Sequence, residues 1–305
     1  LPISLRFSSL PTSFGESLVV RVLDQRTSSL SLDALGFTPQ IEARFRGLLD
    51  LPHGLVLVTG PTGSGKTTSL YTALSHIDGT AKSIFTLEDP VEYQLPLVRQ
   101  TQVNEAIGLT FAEGLRTLLR QDPDVILVGE TRDPETAQLM IRAALTGHLV
   151  FSTLHTNDAL GAIPRLMDLG VPRYLLAPTL AGVLSQRLVR RLCPSCSVPA
   201  PECEPVLEAL GLRDAAQCPG HGPAGLRRGV GCGECHGTGY MGRVGIHELL
   251  VCDAGIVTAL AAGADTTVLR ERARATGFRS LLEDGVAKAL GGQTTLDEVL
   301  RASGG

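Results

Sequence analysis

No run of about twenty apolar residues occurs in this chain, which excludes a membrane-spanning helix read from sequence. The N-terminus has no basic stretch followed by a long apolar run, so no secretory signal is visible. No internal repeat or low-complexity tract is present. Tryptophan is absent, and aromatic residues make up only 4% of the sequence. No aromatic and basic residues interleave into a stacking surface for single-stranded nucleic acid. The net charge is −4, so no overall basic field points to nucleic acid either. Only three of the 27 basic residues are lysines, at positions 66, 82 and 288. The seven cysteines are an odd number and few for 305 residues, which argues against a disulfide framework. Apolar content of 43% against 19% charged residues excludes a disordered chain. The length allows about two compact units with a sizeable core. The first residue is Leu1 rather than Met, and residues 1–7 read as the middle of a strand. The chain is therefore expected to be a piece of a longer protein.

One of the three lysines stands in the pattern G-x-x-x-x-G-K-[ST], formed by Gly60, Pro61, Thr62, Gly63, Ser64, Gly65, Lys66 and Thr67, with Thr68 following. An apolar β-rich run over 55–59 precedes it and a helical start follows at 69–74. A strand, a glycine loop and a helix aim backbone N–H groups and a helix N-terminus at phosphate oxygens. Lys66 is expected to reach the terminal phosphates and the Thr67 hydroxyl to hold Mg²⁺. An ordinary glycine turn ahead of a core helix does not require Lys and Thr in this register.

Strands and helices alternate over 55–155. Residues 83–87, 125–128 and 149–154 are short, continuously apolar and β-rich, as buried parallel strands are. Helical spacing appears at Phe111, Leu115, Leu118 and Leu119, and again at Ala137, Ile141, Ala144 and Leu145. The pattern predicts an α/β fold with a parallel sheet and ligands at the carboxyl ends of its strands. Thr59, Glu88 with Asp89, Gly129 with Glu130, and His155 occupy those ends. Glu130 follows an apolar strand as a Walker B carboxylate does, although Gly129 stands where Asp commonly precedes it. Glu88, with Asp89 and Glu92 nearby, is the natural second carboxylate. One of Glu130 and Glu88 is expected to act on Mg²⁺ and the other on the attacking water, in either assignment; tying a strand end to nearby arginines is the alternative for each. His155 is placed to sense a γ-phosphate, whereas His148, at the other end of its strand, reads equally well as structural.

Upstream, residues 3–7 and 17–23 alternate as strands around a turn at 10–15, and 25–36 reads as a polar linker before an amphipathic helix at 39–49. Downstream, Cys193 and Cys196 form one CxxC pair and Cys232 and Cys235 another. Two such pairs complete a tetrahedral structural Zn²⁺ site with no open position for catalysis. Cys203, Cys218, His221 and His236 lie near them in sequence. Arg187, Arg190, Arg191, Arg227 and Arg228 cluster around this stretch, either as a solvated face or as a contact for acidic partners or anionic lipid.

The segments Thr86-Leu-Glu-Asp-Pro-Val-Glu92, Leu118-Leu-Arg-Gln-Asp-Pro-Asp124, Gly129-Glu-Thr-Arg-Asp133 and Thr146-Gly-His-Leu-Val-Phe-Ser-Thr-Leu-His-Thr-Asn-Asp158 resemble the secretion ATPase superfamily, the motors of type II secretion and type IV pilus assembly. They match its Asp box, Walker B region and His box in order, and the resemblance covers nearly the whole chain. Thr131 departs from the Ile usual in that family. The resemblance implies a RecA-like P-loop parallel-sheet core, the remnant of an N-terminal α/β domain, a tetracysteine zinc subdomain and a C-terminal helical region. The expected boundaries are 1–36, 37–191, 192–246 and 247–305. It implies a homo-oligomer, a hexameric ring, with ATP held between the core and the N-terminal domain. Arg6 and Arg21 fit the two arginine positions that close on the phosphates there; Arg116, Arg120 and Arg132 are further candidates. The cysteine segment resembles the subdomain of secretion and pilus-extension motors, which pilus-retraction ATPases generally lack.

The implied function is a Mg²⁺-dependent cytoplasmic ATPase that powers type II secretion, peripheral to the inner membrane, with the inner-membrane secretion platform and docking proteins as partners and no nucleic acid. A pilus-assembly ATPase is the alternative with the same chemistry. A DNA-translocating RecA-like ATPase and an ATP-gated scaffold are the alternatives from other classes.

Overall fold

The structure is a computed structural model that describes residues 3–24, 30–209, 211 and 225–304. Strands β1 (Ile3–Thr12) and β2 (Gly15–Asp24) form an antiparallel hairpin. Both are longer than the alternation predicts, and the turn shrinks to two residues. Leu5 pairs with Val22 and Phe7 with Val20, and all four side chains are exposed. Helix α1 (Pro39–Leu49) starts at a Thr38 cap whose hydroxyl accepts the Ile41 N–H, with Pro39 in the first turn, where its missing N–H costs nothing. Ahead of it, the expected linker is instead partly packed. Residues 32–35 make a 3₁₀ turn against α2 (Lys66–His76), and Leu32 is buried in the apolar cluster shared by α1, α2 and the sheet.

The core follows as β3 (Gly54–Thr59), α2 (Lys66–His76), β4 (Ile84–Glu88), β5 (Val98–Gln102), α3 (Phe111–Leu118), β6 (Val125–Val128), α4 (Pro134–Leu145), β7 (Leu149–Leu154), α5 (Ala162–Asp168), α6 (Arg173–Thr179) and β8 (Leu180–Leu192). Two short strands, β9 (Ser197–Pro199) and β10 (Arg227–Gly229), flank α7 (Glu204–Ala209). Then come β11 (Tyr240–Val251), α8 (Ala254–Ala261), α9 (Thr266–Ala275), α10 (Leu281–Leu290) and α11 (Leu296–Ser303).

Seven strands form one sheet in the order β11-β8-β3-β7-β6-β4-β5. All neighbours are parallel except β11, which runs antiparallel to β8. β11 runs through residue 246, where the sequence pattern divides cysteine module from helices, so a core strand joins the two. Both sheet faces are covered, which is why β3, β6 and β7 are buried at every position. Leu70, Tyr71 and Leu74 of α2 and Phe45 and Leu48 of α1 cover one face. Helices α3 to α6, α8 and α9 cover the other. α10 and α11 pack together through Val286, Leu296 and Val299. Among the described residues no helix is long and apolar enough to cross a membrane.

Candidate functional site

Four neighbouring strands, β3, β7, β6 and β4, bring their carboxyl ends to one cleft of about 740 Å³. Lys66, Thr67, Glu88, Glu130 and His155 all line it, so residues spread over 90 positions meet in one place. His148 sits at the other end of β7, where its Nδ1 lies 2.9 Å from the Ala143 carbonyl, and does not line the cleft. Arg132 lines the cleft, while Arg116 is tied to Glu113 and Glu135. Neither Arg116 nor Arg120 lines it. Arg6 and Arg21 are direct register partners on β1 and β2; their side chains lie outside the described residues.

The loop after β3 turns through Gly60, Gly63 and Gly65, all at positive φ. At Gly60 a Cβ would meet the Gln186 carbonyl oxygen at 2.5 Å, so the loop can lie this close to β8 only with glycine there. α2 begins at Lys66 with no side-chain cap, which leaves first-turn N–H groups for a phosphate. The Lys66 ammonium donates to the Gly60 and Pro61 carbonyls at 2.8 and 3.1 Å. Burial lowers its pKa, Glu130 opposes that, and the Arg187 charge adds to it. Gln186 braces the loop from β8: its Nε2 donates to the Ser64 carbonyl at 2.7 Å, and its Oε1 accepts from the Ser69 hydroxyl at 2.8 Å. Sequence reasoning missed Gln186, because nothing local marks a residue 122 positions from its partner.

Glu88 is buried at 4% exposure, with donors on both oxygens. Tyr71 Oη donates to one; Thr86 Oγ1 and Gln100 Nε2 donate to the other at 2.5 and 3.1 Å. Glu130 is more open. Its Oε1 pairs with Arg132 at 2.6 Å, and its Oε2 lies 4.0 Å from His155 Nε2. Burial and then the Lys66 charge hold the His155 pKa below its ordinary value, with Arg132 adding to the effect and Glu130 opposing it. His155 is therefore mainly neutral at pH 7, and its approach to Glu130 is not an ion pair there.

Gly129 accounts for the missing Walker B Asp. A Cβ there would meet the Leu87 carbonyl oxygen at 3.1 Å and Glu88 Cα at 3.3 Å. The tips of β6 and β4 thus pack closely, and Glu88 and Glu130 both line the cleft. Thr131 is buried, and its hydroxyl lies 2.8 Å from the Ser152 hydroxyl, so the polar atom it brings is satisfied.

At the far end of β8, the Sγ atoms of Cys193, Cys196, Cys232 and Cys235 lie within 4.8 Å of one another. The Cys193–Cys232, Cys196–Cys235 and Cys232–Cys235 separations are 3.8, 3.8 and 3.7 Å. Disulfide sulfurs sit at about 2.05 Å, while thiolates about 2.3 Å from a tetrahedral Zn²⁺ are about 3.8 Å apart, so the geometry fits the metal. The Cys232 and Gly239 N–H groups both point at Cys235 Sγ at 3.2 Å, which favours a thiolate. Among the described residues Cys203 and His236 are not in this cluster; Cys218 and His221 lie outside the described residues.

A mainly parallel sheet, a glycine loop running into a helix, and carboxylates at adjacent strand tips define a P-loop α/β protein. The chain belongs to the type II/IV secretion system protein family, whose model matches residues 1–301. It is 50% identical over 302 residues to the type II secretion system protein HxcR of Pseudomonas aeruginosa, covering 99% of this chain and 60% of that protein. It is also 50% identical over 300 residues to the type IV pilus assembly ATPase PilB of Thermus thermophilus, covering 98% of this chain and 33% of PilB. The chain thus spans less than two thirds of the curated relatives it matches. The crystal structure of the pilus retraction motor PilT with bound ADP superposes with a TM-score of 0.70 at 29% identity, over 98% of this chain and 74% of PilT. The ATPase DotB of Legionella pneumophila has the same fold, with a TM-score of 0.69 at 21% identity over 99% of this chain and 73% of DotB.

Proposed function

We propose that this chain is the ATP-hydrolysing part of a motor for type II protein secretion. The convergence of Lys66, Thr67, Glu88, Glu130 and His155 on one cleft carries the reading. The loop N–H groups and Lys66 bind the phosphates, and Lys66 must first leave the two loop carbonyls it holds. Thr67 and Glu130 would hold Mg²⁺, which when bound neutralises phosphate charge. Glu88 aims the attacking water, and its three donors fix its orientation. His155, neutral and half-exposed, senses the γ-phosphate. Arg6 and Arg21 close on the phosphates from the hairpin, and this closure, repeated around a hexameric ring, performs the work. The cysteine cluster holds structural Zn²⁺. The motor works at the cytoplasmic face of the inner membrane against the secretion platform. Of the arginines near the cysteine module, Arg190 and Arg228 pair with Glu298 and Glu202, Arg227 bonds Ser197 and Arg187 bonds the Asn157 carbonyl, which leaves the exposed Arg191 for anionic lipid. The 50% identity to PilB favours pilus extension as the second reading.

The test is ATP turnover per protomer, with and without EDTA, against protein concentration, with Lys66→Ala as blank. Metal-dependent turnover that rises with concentration supports sites completed by assembly. Turnover that stays flat removes the ring from the mechanism, and none above the blank removes the hydrolase.

A further inference from the structure

The segment that leaves β7 with His155 is gripped by elements beyond the phosphate loop. Glu248, the ninth of the twelve residues of β11, is buried at 2% exposure. Its Oε1 accepts the Ala159 N–H at 2.8 Å, and its Oε2 accepts the Leu281 N–H at 3.2 Å. Ala159 stands four residues beyond His155, and Leu281 is the first residue of α10. One carboxylate therefore joins the His155 segment to the C-terminal helices.

The surroundings leave this carboxylate little freedom. Burial pushes its pKa up, while the two N–H bonds favour the charged form. If either donor moves away, a buried carboxyl oxygen loses its partner, and such a loss is resisted. Ser280 and Glu283 form a capping box at α10, so the Leu281 N–H is left for an outside acceptor. Glu248 also shares a register row with Ser185 of β8 and Thr59 of β3, the last strand residue before the phosphate loop. A second tie to the C-terminal helices, Asp158 to Arg270 of α9 at 2.8 Å, is partly exposed on both sides. Partly exposed pairs of this kind contribute little.

We propose that Glu248 is a positioning residue that transmits the nucleotide state of the His155 segment to α10 by holding Ala159 and Leu281 on one carboxylate. This rests on the reading of the cleft as a nucleotide site. Glu248→Gln keeps the shape but turns an amide N–H₂ toward one of the two N–H donors, so one arm is lost whichever way it flips.

Hydrogen exchange of the purified chain, with and without ATP or ADP, reads the coupling without turnover. In the wild-type chain, nucleotide is expected to change exchange in both 156–160 and 281–285. Glu248→Gln is expected to keep the first change and lose the second, with kcat lowered about tenfold and KM held within about twofold. Arg270→Ala is expected to keep both changes. The proposal fails if Glu248→Gln retains the α10 response, or if Arg270→Ala abolishes it equally. Should Glu248→Gln not fold, the wild-type measurement decides, because an α10 segment indifferent to nucleotide overturns the coupling. Coupled exchange in a chain without turnover would sink the hydrolase reading and leave this one standing.

Discussion

Arg132 Nη2 holds Glu130 Oε1 at 2.6 Å, so the carboxylate at the tip of β6 is bound by an arginine only two residues away. The arginine side chain is 72% exposed, whereas that of the glutamate is 15% exposed. Exposed ion pairs are worth about 0.2–1 kcal/mol, so Arg132→Ala should leave ATP turnover within about fivefold of wild type. Glu130→Gln should lower it by at least about a hundredfold while nucleotide still binds. Steady-state turnover alongside nucleotide titration separates the two. A Glu130→Gln chain with normal turnover would remove Glu130 from the chemistry.

Glu88 is held by Tyr71, Thr86 and Gln100, and the Tyr71 hydroxyl has its pKa raised by burial and then by its bond to Glu88. Tyr71→Phe should destabilise the fold by about 1–3 kcal/mol by leaving a buried carboxylate oxygen without its donor. Glu88→Gln should lower turnover by about a hundredfold or more, within the range of general-base loss. Urea melts and turnover of both variants check this. A stable, fast Glu88→Gln chain would contradict the role given to Glu88.

The cysteine cluster should carry one zinc per chain by elemental analysis. Cys232→Ser or a strong chelator should remove it and open residues 192–239 to proteolysis, because such sites supply folding energy through the metal. The nucleotide cleft should keep its affinity. Equal protease resistance of the zinc-free chain would argue against a structural ion.

Glu298 of α11 accepts the Arg190 N–H and the Arg190 and Arg301 side chains at 3.0, 2.8 and 3.0 Å. Against burial, which raises it, these bonds hold its pKa at about 2, below the ordinary 4.5. The folded state therefore binds this proton less readily than the unfolded chain. The contribution is complete above pH 4.5 and is lost as pH falls toward 2. The two arginines are largely exposed, so Glu298→Gln should cost only about 1–2 kcal/mol at pH 7. The difference from wild type should shrink at pH 3, as denaturant melts at the two pH values would show.

The candidate cleft was legible because each part is local. Glycines 60, 63 and 65 precede Lys66 directly, and Glu88, Glu130 and His155 each follow an apolar run that can only be a buried strand. The family resemblance then supplied their order. β11 was less legible, since it pairs with β8 across some fifty residues that include the cysteine module, and its pairing leaves no mark on either stretch. β5 is a polar edge strand, with Arg99, Gln100 and Gln102 where a buried strand would carry apolar residues. Gln186 and Glu248 serve loops 122 and 89 residues away, and no spacing rule connects such positions. Leu32 looked like linker because Leu30, Leu32 and Leu35, in so short a polar stretch, sustain neither a helical nor a strand period.

β8 carries Ser185 in the row of Glu248 and ends at Leu192, one residue before the first cysteine. At about 3.3 Å per residue, some 25 Å of hydrogen-bonded strand separates that row from Cys193. A β-bulge between Tyr240 and Arg243 interrupts the pairing with β11 next to the cysteines, so the regular ladder runs from the Ser185 row to Arg190 and the bend falls beside the cysteine module. Distortion that starts at the cysteines therefore has a hinge to spend itself on before it reaches the middle of β8, where Gln186 braces the loop after β3.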